Sequence, residues 1–219
     1  MKKIKLKQVL IPLLVCIVSI VIGLTTDNTL LGIIVLITGI LNSYYGSIGN
    51  KINFLIGIVN NLVLSYIAFK NNNYGLVIFN LFLFMPINIK GYFEWNNNSN
   101  KELVENRGLG VKKGIITIIT SIIIGLIVAY LLGLIPGERL TYLDSFTNVI
   151  SFIAGILLML RYNESWILYL INNVLDLILW IINYSSGGFD SLMVLLMSIM
   201  YLLINIYALF KWRSTDEKL

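Results

Sequence analysis

Apolar residues in this chain neither alternate nor form a single stripe; they run in blocks of close to twenty, separated by short polar stretches. The blocks lie near residues 9–25, 29–45, 52–69, 75–95, 114–135, 142–160, 165–184 and 191–211. A hydrocarbon core about 30 Å thick needs roughly 20 mainly apolar residues per helix, and each block approaches that length. The breaks carry turn chemistry: Thr26-Asp27-Asn28, Ser47 to Lys51, Asn71-Asn72-Asn73, Pro136-Gly137-Glu138, Asn163-Glu164-Ser165 and Ser185-Ser186-Gly187-Gly188. The pattern predicts an all-α integral membrane protein with eight transmembrane helices.

The polar and aromatic positions inside the blocks repeat. Phe54, Gly57, Asn60 and Asn61 stand 112 residues before Trp166, Tyr169, Asn172 and Asn173 (54 to 166). Asn80, Phe84, Asn88 and Trp95 then match Met197, Tyr201, Asn205 and Trp212, with a few residues inserted between. Four helices per half bring each half back to its starting side, so the expected relation is a parallel repeat about an axis along the membrane normal. Within each half the last three helices match best. This divides the chain into an extra N-terminal helix (1–28), a first three-helix bundle (29–95), a cytoplasmic loop and linker helix (96–140), a second three-helix bundle (141–212) and a cytoplasmic tail (213–219). The arrangement is three plus one plus three with an added N-terminal span.

Composition agrees with this class. Of 219 residues 58% are apolar and 12% charged, and the mean hydropathy is +0.85, more apolar surface than a soluble domain can hide. Charge adds an orientation. With eight spans both termini share a side, and that side holds Lys2, Lys3, Lys5, Lys7, Lys51, Lys90, Lys101, Arg107, Lys112, Lys113, Arg161, Lys211, Arg213 and Lys218, against Lys70 and Arg139 on the other. Basic residues stay inside, so both termini are expected in the cytoplasm. The net charge of +5 then reflects topology and anionic lipid, with no nucleic acid partner implied. Lys2 to Lys7 before an apolar run resemble a secretory signal, but no small-residue cleavage site follows, and the segment reads as a retained helix. Cys16 is the single cysteine, which leaves no disulfide or thiolate metal site within one chain.

Catalytic chemistry is thinly represented. There is no histidine, nucleotide-binding glycine loop, nucleophile elbow or usefully spaced carboxylate pair, so no enzyme, cofactor or metal site is expected. The specific signal lies in the seventh block. Trp166, Tyr169, Asn173, Asp176 and Trp180 are spaced by three, four, three and four residues and form one stripe on a helix. Two aromatic surfaces flank an amide and a carboxylate, which suits a flat heteroaromatic ligand bearing hydroxyls. The competing account puts Trp180 and Trp166 in the interfacial belts and the asparagines in helix–helix hydrogen bonds. Asn80, Phe84 and Asn88, and equally Met197, Tyr201 and Asn205, lie at i, i+4 and i+8, so Asn88 and Asn205 are placed to border one shared passage together with Asn61. Pro86 removes a backbone donor just before Asn88 and offers a bend that could gate it.

These residues carry a family resemblance. Pro86-Ile87-Asn88-Ile89-Lys90-Gly91-Tyr92-Phe93-Glu94-Trp95, preceded by Asn80, resembles the end of the first half of the nicotinamide riboside transporters called PnuC. Trp166-Ile167-Leu168-Tyr169-Leu170-Ile171-Asn172-Asn173 resembles their motif of two tryptophans and an asparagine, and the likeness runs from the second helix onward. It implies a SWEET-like fold, a homotrimer and facilitated diffusion of a vitamin precursor, with nicotinamide riboside first in rank. Tyr169 replaces the second tryptophan and Asn88 a glutamine, so thiamine, riboflavin and deoxynucleosides stay open as substrates. A proton-coupled carrier using Asp176 is the alternative mechanism, although Asp144 and Glu94 lie closer to the membrane surfaces and complete no relay. An accessory membrane subunit, docking through small-residue faces such as Gly32 to Gly39 or Gly125 to Gly133, is the alternative of another class.

The orientation is open to direct measurement. With Cys16 replaced, single cysteines at Asn72 or Ser186 are expected to react with an impermeant thiol reagent applied to sealed cells. Labelling of a cysteine at Asn98 instead would invert the topology.

Overall fold

The computed structural model describes residues 6–26, 28–100 and 103–216. Asp27, Lys101 and the terminal lysines Lys2, Lys3, Lys5 and Lys218 lie outside them. The helices are α1 (Leu6–Thr25), α2 (Leu30–Ser47), α3 (Ile52–Lys70), α4 (Tyr74–Asn97), α5 (Val111–Leu132), α6 (Thr141–Met159), α7 (Ser165–Ser185) and α8 (Ser191–Asp216). Seven of them, α2 to α8, are long and apolar enough to cross a bilayer; the apolar part of α1 is the shorter stretch Pro12–Thr25. The link from α4 to α5 holds a small antiparallel hairpin, β1 (Ser99–Asn100) with β2 (Leu103–Val104).

Six helices close into a ring: α2 packs on α3, α3 on α4, α4 on α6, α6 on α7, α7 on α8 and α8 back on α2. Outside it, α1 lies on α2 and α5 on α6. Lipid gives helices no hydrophobic reason to associate, so close contact depends on small residues. A Cβ at Gly39 would stand 2.0 Å from Met197 Sδ on α8, one at Gly75 would stand 2.5 Å from Asp144 Oδ2 on α6, and one at Gly125 would meet the Phe146 ring at 2.7 Å. Gly32 faces Met193 and Asp190 in the same way. Three glycines named above as docking faces, Gly32, Gly39 and Gly125, are therefore spent on contacts within the chain, which removes that support for an accessory subunit.

Acidic residues close the helix starts. The first N–H groups of a helix lack partners and sit at its positive pole. Asp190 Oδ1 accepts from Thr29 N at 2.7 Å at the entry to α2. Glu138 Oε2 accepts from Tyr74 N at 2.7 Å and Asp144 Oδ2 from Leu76 N at 3.3 Å at the start of α4. Glu164 accepts from Leu109 N at 2.9 Å and Gly110 N at 3.2 Å just before α5. Burial holds the Glu138 carboxyl above its usual range, opposed by hydrogen bonds with Asp144 and the N–H groups of Tyr74 and Gly75.

Helix α4 is not regular. Phe79–Phe84 form a π-helical stretch, in which Met85 N donates to Asn80 O five residues back. Pro86 follows directly and lacks an N–H, so the widened turn absorbs the place where an α-helical bond would be lost.

At the end carrying the α2–α3 and α6–α7 loops, Phe54, Trp95, Leu158, Trp166, Ala208 and Trp212 form one buried cluster. Phe54 meets Trp95 edge-on at 4.9 Å and Trp166 meets Trp212 at 5.6 Å. Trp95 Nε1 donates to Leu158 O at 3.0 Å, and Trp212 Nε1 donates to Ser47 O at 2.9 Å, so α4 is tied to the end of α6 and α8 to the end of α2.

The cluster leaves no room beside Gly91, where an added Cβ would stand 2.3 Å from the Phe54 ring. Gly91→Ala is expected to cost about 1–3 kcal/mol, read as a lower melting temperature of the detergent-solubilised protein. An unchanged melting temperature would show that the Phe54 ring gives way.

Candidate functional site

All six ring helices line a central cavity of about 170 Å³. The five-residue stripe of α7 faces it throughout: Trp166, Tyr169, Asn173, Asp176 and Trp180 are all on its wall. Trp166 is 2% and Trp180 1% exposed. Neither is an interfacial belt residue, because belt tryptophans present their rings to the lipid boundary. The rings of Trp166 and Tyr169 lie 5.9 Å apart at 48°, giving an aromatic face between the cavity and the tryptophan cluster below it.

The remaining candidates converge on the same space. Phe84 and Asn88 reach it from α4, Tyr201 and Asn205 from α8, and Asn61 from α3. Asn88 and Asn205 thus share one cavity. Pro86 does not join them: its side chain is exposed on the outside of α4, and its influence on the wall is through the π-helical turn.

Hydrogen bonding separates packing asparagines from available ones. Asn60 donates to Val35 O at 3.0 Å and Thr38 Oγ1 at 3.1 Å, tying α3 to α2, and Asn80 donates to Leu76 O at 2.7 Å. By contrast Asn61 Nδ2, Asn173 Nδ2, Asn172 Oδ1 and Trp166 Nε1 are buried with no partner among the described residues, and all four residues line the cavity. A buried polar group without a partner costs about 1–3 kcal/mol, which a polar solute in the cavity would recover. Asp176 accepts a hydrogen bond from Ser198 Oγ on α8, with the Trp180 indole beside it.

Sequence reasoning missed the contribution of α2 and α6. Asn42 and Ser43 on α2, Asn53 on α3, and Thr147, Asn148 and Ser151 on α6 also line the cavity. Asn148 Nδ2 donates to Asp144 Oδ1 at 2.7 Å, linking the cavity to the carboxylate that closes the start of α4. Asp144, Asn148, Ser151 and Gly155 run at four, three and four, the spacing that drew attention to α7, so the signal was present on α6 too. Asp144 itself is fully buried, in the first turn of α6.

A family model described as nicotinamide mononucleotide transporter matches residues 29–214, beginning where α2 begins. The nicotinamide riboside transporter PnuC of Haemophilus influenzae is 30% identical over 197 residues, 88% of this chain and 83% of that protein. PnuC of Neisseria mucosa is 28% identical over 189 residues, 83% of this chain and 71% of that protein. Among solved structures, that of the vitamin B3 transporter PnuC superposes with a TM-score of 0.85 at 25% identity, over 98% of this chain and 93% of that one.

Proposed function

The chain belongs to the nicotinamide mononucleotide transporter family, and from that membership we propose that it carries nicotinamide riboside across the bacterial inner membrane by facilitated diffusion. One observation carries the reading: a cavity enclosed by all six ring helices combines an aromatic face, Trp166 and Tyr169, with buried amides that have no partner. In it the rings stack on the flat heterocycle while Asn173, Asn61, Asn88 and Asn205 meet its carboxamide and hydroxyls, with Tyr201 and Phe84 closing the opposite wall.

The cavity favours the riboside over the mononucleotide. None of its lining residues is a lysine or arginine, and the chain has no histidine. A phosphate dianion would enter unpaired, beside the carboxylate of Asp176, at a heavy desolvation cost.

The same reading includes eight spans, both termini in the cytoplasm, a three plus one plus three parallel repeat with an extra N-terminal helix, and a homotrimer. Several features support it. The loops holding Lys51, Arg107 and Arg161 meet at one end, where Val104 N donates to Gly49 O and Arg107 N to Arg161 O, both at 2.9 Å. Arg139 N donates to Asn72 O at 3.0 Å at the other. The ring order also maps onto itself when α2, α3 and α4 are exchanged for α6, α7 and α8. Pro86 acts on the passage through the π-helical stretch of α4, where a change of turn would move Phe84 and Asn88 together.

Tyr169 and Asn88 favour a second reading in which the carried solute is thiamine, riboflavin or a deoxynucleoside. Calorimetric titration of the purified protein with these and with nicotinamide riboside is expected to give the riboside the lowest Kd; a lower value for any other replaces it. Trp166→Ala is expected to weaken binding about 10-fold or more, through lost stacking and burial. Asn173→Leu acts through a different cause, the unpaired polar group it leaves on the ligand. Unchanged affinity in both folded variants would return these residues to packing.

Transport without coupling has its own readout. In proteoliposomes with the membrane potential clamped at zero, labelled riboside is expected to reach equal concentrations on both sides, with or without a pH or sodium gradient. Accumulation that a protonophore abolishes would establish a proton-coupled carrier instead.

A further inference from the structure

The buried and part-buried acids among the described residues divide into two kinds. Asp190, Glu138, Asp144 and Glu164 accept from backbone N–H groups at helix starts, and Glu94 lies 3.5 Å from Arg161. Asp176 does neither. It sits midway along α7 on the cavity wall, among the described residues the only lining one with a charged side chain, and its carboxylate is met by neutral donors alone, the Ser198 hydroxyl and the Trp180 indole. Among the described residues no cationic one lines the cavity with it, and a carboxylate at bilayer depth is stable only when something opposes its charge.

The aromatic residues around it supply the second half of the argument. Tyr169 and Trp180 lie on the same stripe of α7, seven residues before and four residues after it, and Tyr201 on α8 is within electrostatic reach of both Asp176 and Tyr169. Aromatic faces attract a cation through their quadrupole, and rings combined with a carboxylate form a box for a ligand whose charge is delocalised over a flat ring. Neutral heterocycles gain stacking from such a box but nothing from the carboxylate.

We propose that Asp176 is the counter-charge for the substrate's ring, so that this transporter selects heteroaromatic solutes bearing a fixed positive charge, pyridinium or thiazolium, over their uncharged isosteres. The assignment rests on the cavity being the solute site. Ser198 is the positioning residue, its hydroxyl holding one carboxylate oxygen of Asp176. Neutralisation of each charge by the other lets a cationic solute enter a low-dielectric passage that would otherwise exclude it. The lack of lysine and arginine among the described lining residues and the single carboxyl group then have one explanation, a carboxylate whose charge the solute's own cation offsets.

The test compares ligand pairs that differ in ring charge, one of which keeps the ring aromatic in both members. One pair is nicotinamide riboside and its dihydropyridine form, which keeps the carboxamide and ribose; the other is thiamine and the analogue with carbon in place of the thiazolium nitrogen. For the purified wild-type protein, the charged member of at least one pair is expected to bind about 10-fold more tightly or better. Asp176→Asn, nearly isosteric, is expected to weaken that cation by a similar factor while leaving the neutral partner's Kd within about threefold. Equal affinity for charged and neutral members in wild type overturns the proposal without any variant. Equal weakening of both members by Asp176→Asn also overturns it, assigning the side chain to packing or hydrogen bonding. Binding of neither cation overturns it as well. If the riboside pair fails to bind while the thiamine pair shows the Asp176-dependent preference, the ring-charge assignment stands and the riboside reading falls.

Discussion

Backbone approach between helices, set by glycine, is the constraint on which the remainder of this structure depends. In hydrocarbon a leucine-rich helix gains little by leaving lipid for another helix, so association relies on van der Waals contact and hydrogen bonds at short range. Here the ring closes where Gly39 lies under Met197 and Gly75 lies under Asp144. Side chains at those two positions would hold α2 off α8 and α4 off α6, and the ring would open at both joints between its three-helix segments. Without closure there is no interior for the asparagines to face. Gly57 continues the logic inside the cavity, where an added Cβ would stand 2.8 Å from Asn42 and 2.9 Å from Asn88, so its absence keeps the passage free.

Much of this was legible in the sequence because membrane helices have few ways to signal and each is strong. A block of twenty apolar residues admits one secondary structure, since every backbone polar group must be satisfied internally. Polar residues within such a block must face protein or a cavity, so the α7 stripe marked one wall, while spacing and the repeat left Asn61, Asn88 and Asn205 open between a passage and helix–helix hydrogen bonds until the cavity was seen. Two kinds of information were not local. The indole of Trp180 looked interfacial from its distance along α7, and its burial depends on α2, α3 and α8 packing over it. The caps formed by Glu138 and Asp144 at α4 join residues more than sixty positions apart, a pairing that no periodicity encodes. The π-helical stretch before Pro86 belongs to the same class: a proline announces a lost hydrogen bond, but which carbonyls rearrange depends on the neighbours.

Polarity is distributed economically. Asparagine does most of the interior work because it is neutral and can donate and accept at once, so it satisfies a neighbouring helix, as Asn60 does, or keeps an unpaired amide nitrogen on the cavity wall, as Asn173 does. Charge is kept to the ends of the helices, where dipoles and backbone N–H groups compensate it. Against that background a carboxylate in mid-span is a departure from the scheme the chain follows elsewhere.

The two indole hydrogen bonds at the loop end beneath the cavity behave as a coincidence lock. Trp95 holds α4 to α6 and Trp212 holds α8 to α2, each spanning a joint between the two three-helix segments. The rings that carry them also touch, with centroids 5.9 Å apart. Separating the segments at this end would cost both bonds, one at each joint. A hinge fastened at one joint would leak by fraying; one fastened at two, through rings in mutual contact, is either shut or fully released.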